Sequence, residues 1–89
     1  MIEEIRKLFF VLEKDRFTIV NNYIMGIISI QEVTMFGQKI EKIRNLLDNF
    51  QTNDENLLEI AKYKSKIQHF YTEIMEDEEL LRMAYSNNL

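Results

Sequence analysis

Eighty-nine residues with no Pro, two Gly and 46% hydrophobic side chains read as one helical domain, 1–89, and argue against β-sandwiches and loop-rich folds. The lack of Cys excludes disulfides, zinc–thiolate centres and thiol nucleophiles. A net charge of −4, with Lys and Arg scattered among acids, argues against nucleic-acid binding, which rests on cations neutralising phosphates.

The first helix is expected from residue 2. Glu3 and Glu4 fall in its first turn, where they complement the helix dipole. The acidic start Met1-Ile2-Glu3-Glu4 is the opposite of the basic opening of a signal peptide. Ile5, Leu8, Phe9 and Leu12 form an apolar stripe, and Ile19 and Tyr23 extend it if the helix continues to Met25. A second line, Phe10, Phe17 and Ile24, runs beside it at intervals of seven. Together they cover an arc of roughly 200°, about twice the stripe of an ordinary surface helix. Such a helix belongs at the centre of the fold or meets another chain. A β-hairpin competes for this stretch: Phe17–Val20 and Tyr23–Met25 as strands, with Asn21-Asn22 as a two-residue turn. No further strand is visible, and an isolated hairpin is marginal in water, which favours the helix.

Gly26 suits the left-handed position just past a helix end. Ser29-Ile30-Gln31-Glu32 is a capping box, in which hydroxyl and carboxylate each satisfy a free backbone N–H. Ile28 and Val33 stand where a hydrophobic staple would place them. A second helix is expected over 30–50, with Val33, Phe36, Ile40, Ile43, Leu47 and Phe50 inward. Thr34, Gln38, Glu41, Asn45 and Asp48 face outward. Gly37 flanks the inward stripe and marks a close helix–helix approach, since glycine otherwise costs a helix about 1 kcal/mol.

A second capping box, Thr52-Asn53-Asp54-Glu55, opens a long C-terminal helix reaching Tyr85. Leu57, Ile60, Ala61, Ile67, Phe70, Tyr71, Ile74 and Leu81 share one face of it. The short connection implied by that cap makes the second and third helices antiparallel neighbours. Glu76-Asp77-Glu78-Glu79 places four acids where the dipole disfavours them. They allow a break near Asp77, with Asp77 capping a short final helix. The fold expected is all-α, an antiparallel three-helix bundle (up-down-up) with a long C-terminal helix.

No phosphate loop, nucleophile elbow or catalytic triad occurs, so no catalytic, cofactor-binding or metal residue is assigned. His69, the single histidine, falls opposite Ile67 and Ile74 and is expected in solvent. With Glu73 it makes one i,i+4 pair, whereas helical di-metal sites need two Glu-x-x-His elements and further carboxylates. Tyr63, and the cluster Phe70, Tyr71, Ile74 and Met75, read as core or interface. The Glu76–Glu79 run reads as a solvated face, or as a docking site for a basic partner.

Gly37-Gln38-Lys39-Ile40-Glu41 faintly resembles a Ser-Gln-Glu-Leu-Asp stretch in the second helix of small helical-hairpin phosphatases of sporulation response regulators. The likeness covers five residues, only Gln38 matches outright, and Glu41 stands where that family has Asp. It implies one alternative, a response-regulator phosphatase using Gln38 and Glu41. Another is small-ligand or nucleotide binding between helices or subunits. The main expectation is a non-enzymatic interaction protein: a small helical adaptor, inhibitor or chaperone of the kind phages and mobile elements encode. Its predicted interaction surface is Phe10, Phe17 and Ile24. A homodimer and a further protein are its expected partners. The longest near-apolar run, Phe17–Ile30, is too short to span a bilayer, so the expected setting is cytoplasmic.

Overall fold

The computed structural model describes residues 2–50 and 55–87, which are 87% helical with no strand among them. Helix α1 runs Ile2–Ile24, α2 Ile30–Asp48, α3 Leu57–Phe70 and α4 Glu78–Asn87, with a single π turn, Tyr71–Met75, continuing α3. The hairpin alternative for residues 17–25 is thereby excluded: α1 passes straight through Asn21 and Asn22. Burial of Ile19 at its inner face outweighs the low helix propensity of the β-branched residues around it.

The α1–α2 turn forms as its sequence directs. Gly26 takes φ +75°, its N–H bonds to the Tyr23 carbonyl at 3.0 Å, and the Ile27 N–H bonds to the Asn22 carbonyl at 2.8 Å. Those two bonds are a Schellman end, satisfying carbonyls the helix leaves free. Ser29 Oγ accepts from the Glu32 N–H at 3.3 Å, opening α2. The reciprocal half of the expected capping box differs, because the Glu32 carboxylate accepts from Asn22 Nδ2 at 2.8 Å instead. One carboxylate therefore closes the α1–α2 corner. Asn87 clamps the same corner from α4, donating to the carbonyls of Gly26 and Ile28, each at 2.9 Å.

α2 is central, touching α1, α3, the π turn and α4. Its Val33, Phe36, Ile40, Ile43 and Leu47 are buried and Thr34, Gln38, Glu41, Asn45 and Asp48 are exposed, as the pattern predicts, whereas Phe50, expected inward on a helix reaching 50, lies past the helix end at Asp48 and is half-buried. Along the α1–α2 seam, Asp15 pairs with Lys39 and Asn22 with Glu32, so numbers rise on one helix as they fall on the other. Gly37 admits the Met75 methyl, which would lie 2.9 Å from an added Cβ, so the close approach expected there is to a side chain of the π turn.

The C-terminal part departs from the expected single helix. α3 begins at Leu57, later than the Thr52 cap implies, so the link from α2 is longer than two or three residues; Thr52, Asn53 and Asp54 lie outside the described residues. Ile60, Ile67, Phe70 and Ile74 are buried, Tyr71 is half-buried, and Leu57 and Ala61 are exposed. Those last two sit at the edge of the arc centred on Ile60 and Ile67, beyond the reach of α1 and α2. The chain then breaks at Glu76-Asp77, and Asp77 Oδ1 caps α4 by accepting from the Leu80 N–H at 3.0 Å. The π turn takes in an extra residue per ring. With the break, it rotates α4 about its axis, so Leu80 and Ala84 enter the core and Leu81 is only half-buried.

Candidate interaction surface

α1 is seated by a row of pairs along the C-terminal elements. Arg6 forks onto Glu59 at 2.7 and 2.8 Å and also reaches Glu3 at 2.9 Å. Phe9 stacks on Tyr63 with ring centres 4.5 Å apart, and Lys66 meets Glu13 at 3.2 Å. Arg16 bonds Glu73 at 2.8 Å with its guanidinium 5.6 Å from the Phe70 ring centre, and Tyr23 donates to Glu79 at 3.3 Å. Numbers rise together on both sides of this seam. The Arg6 bonds, then the 2.6 Å bond donated by Tyr63, hold the Glu59 carboxyl down to about 2, and Arg6 is raised in turn. Tyr63 is pushed up, chiefly by burial and then by its bond to Glu59. Burial also raises Tyr23, and Asp77 and Glu79 add to it.

Those pairs fix which side of α1 remains open. Ile5, Phe9, Leu12 and Ile19 are buried, whereas Phe10 is 61%, Phe17 65% and Ile24 75% exposed. The three lie on one line about 21 Å long, at 1.5 Å per residue. Phe10, Glu13, Lys14, Phe17 and Thr18 line a shallow hollow of about 410 Å³ on it. Lys14 Nζ stands 4.4 Å from the Phe10 ring centre, a cation over an aromatic face. At the C-terminal end the line runs into Met25 and Ile27, both exposed on either side of Gly26. Sequence reasoning did not include these two, although apolar residues flanking a helix-ending glycine are a readable sign of an apolar corner.

No family model, curated protein or solved structure matches this chain. The surface must therefore be read from its own chemistry.

The other sequence candidates lie apart. Gln38 and Glu41 are exposed on the outer side of α2, with Glu41 paired to Arg44 at 3.0 Å. His69 is 72% exposed in its side chain and stands 3.4 Å from Glu73, which Arg16 already holds. Among the described residues no group of three His, Asp or Glu is placed to bind a metal. A cleft of about 240 Å³ lies between α1 and α2 over Ile19 and Phe36. Its polar rim is committed internally: Asp15 to Lys39, Asn22 to Glu32, and the Thr18 hydroxyl to the Lys14 carbonyl at 3.1 Å. No described helix is long and apolar enough to cross a membrane.

Proposed function

We propose that this protein is a non-enzymatic interaction module, a small helical adaptor, inhibitor or chaperone, that docks a protein helix or a second copy of itself on the α1 face of Phe10, Phe17 and Ile24. The observation that carries the reading is the uncovered line itself. Three large apolar side chains on one rigid helix form the kind of exposed patch that marks interaction sites. Burying each contributes roughly 1.5–3 kcal/mol, less the cost of association. The face stands on an antiparallel three-helix bundle (up-down-up), in which α3, the π turn and α4 make up the third rod. A cytoplasmic setting belongs to the same proposal.

A photo-crosslinking residue at Phe17, introduced in the native host, tests it. The expected result is a discrete adduct with a protein, identified by mass spectrometry and absent when the probe replaces Glu41 on the outer side of α2. Equal labelling at both positions, or none at Phe17, would overturn the proposal.

A further inference from the structure

Resting on that reading of the α1 face, we infer that its occupant is a second copy of this chain, bound antiparallel across a two-fold axis near Phe17. Phe10 of each copy then lies against Ile24 of the other.

Area is the first argument. At about 150–250 Å² for a whole aromatic side chain, the exposed fractions of Phe10, Phe17, Ile24, Met25 and Ile27 amount to on the order of 500 Å². A standard interface takes about 800 Å² from each partner, a little over half of it apolar, which is nearly the same apolar area. A narrower occupant, a lone peptide strand for example, would leave part of the line in water.

Charge is the second. The Phe10 end of the face is bordered by Lys7, Lys14 and Lys62, none of which makes an ion pair among the described residues. Lys62 adjoins Tyr63 in α3, whose ring stacks on Phe9, the residue before Phe10. The Ile24 end is acidic: Glu79 touches Tyr23, one residue from Ile24, and Glu78 and Asp77 adjoin it. Antiparallel pairing lays the lysine end of each copy over the acid end of the other. A parallel pair would set acid against acid, which opposes association. The Glu76–Glu79 run thus acquires a basic partner within the protein's own copy. A two-fold interface is self-complementary by construction, and this face meets that requirement in both shape and sign.

Light scattering on the full chain at about 100 μM, with Kd in the micromolar range or tighter, tests the inference. The expected species has twice the 10.8 kDa chain mass, and Phe17→Asp gives a helical species of single mass. Should Phe17→Asp fail to fold, Phe17→Ser serves the same comparison. Glu78→Lys with Glu79→Lys should weaken the dimer about tenfold at low salt. Adding Lys14→Glu and Lys62→Glu to that variant should restore it. A wild-type monomer at this concentration overturns the inference, as does a dimer indifferent to Phe17→Asp; charge reversals without effect overturn the antiparallel arrangement. A monomer whose Phe17 probe still captures a foreign protein refutes only the second copy. A monomer whose probe captures nothing refutes the interaction module as well.

Discussion

Two lines of apolar residues run along α1 at the same seven-residue interval, one through Ile5, Leu12 and Ile19, the other through Phe10, Phe17 and Ile24. The first is almost wholly buried beneath α2 and the C-terminal elements, while the second is left mostly in water. Both are made only of large apolar side chains, and their spacing is identical. What separates them is position on the wheel, since α2 seals one flank of the first line through Asp15–Lys39 and α3 seals the other through Arg6–Glu59 and Glu13–Lys66. The second line lies beyond the α3 seam, where no described element of the chain covers it. Periodicity reveals that a helix has an apolar line; what covers it depends on how many other elements the chain can bring.

The largest effect that would break this comparison is an acid placed on each line. Leu12→Asp puts an unpaired charge in the core, a change of the class that costs more than about 4–5 kcal/mol and unfolds a domain of this size. Phe17→Asp should keep the full helical signal in far-UV circular dichroism. Loss of helix in both, or in neither, would show that the two lines are not differently covered.

Next in size is Gly26→Ala, which tests what ends α1 just after Ile24. A Cβ there meets nothing within 4 Å, so the loss is the left-handed backbone penalty alone, about 1–2 kcal/mol by urea denaturation. Gly26→Asn should recover part of it, because Asn tolerates that conformation. Equal losses in the two variants would point instead to packing at the corner.

A smaller effect reports on the α3 seam that divides the lines. The Glu59 carboxyl is lowered from 4.5 to about 2, so its tie to Arg6 and Tyr63 is fully present above pH 4.5 or so and is lost as pH falls towards 2. The thermal midpoint should fall across that interval, and Glu59→Gln should flatten this part of the profile. Water reaches both partners, the Arg6 side chain being 45% and that of Glu59 28% exposed, so screening keeps the drop modest. The smallest effect belongs to His69→Ala, within about 0.5 kcal/mol of wild type at neutral pH, as for an ordinary surface side chain.

Legibility in the sequence divides along the chain. α2 reads off almost completely: Ser29 caps it, Gly26 ends its predecessor, and each residue placed outward is exposed. A single uninterrupted period of 3.6 makes that possible. In the C-terminal rod the same rule, carried unbroken from Leu57 to Leu81, loses register across the π turn and the Glu76-Asp77 break. It therefore chooses Leu81 where Leu80 is buried, whereas Leu57 and Ala61, ahead of the π turn, are misplaced because they sit at the edge of the arc centred on Ile60 and Ile67. The four acids announced the break and Asp77 its cap, but no local pattern announces a π turn, which is stabilised by contacts such as Met75 against Gly37. The line Phe10, Phe17 and Ile24 was visible from spacing alone, and the structure shows these residues uncovered within the described chain. Pairs between helices, such as Asn22 with Glu32 or Arg16 with Glu73, depend on how the elements face one another, and periodicity does not carry that.

Asn87 holds the carbonyls on both sides of Ile27 with a single amide nitrogen. The last turn of α4 and the α1–α2 corner are therefore one opening unit, although 61 residues separate Asn87 from Gly26. In hydrogen exchange, the Ile27 amide and the amides of the final α4 turn should be released together, at one free energy below that of global unfolding. Asn87→Ala should uncouple them: the α1–α2 corner would then exchange independently, while the amides at the middle of α2 keep their protection.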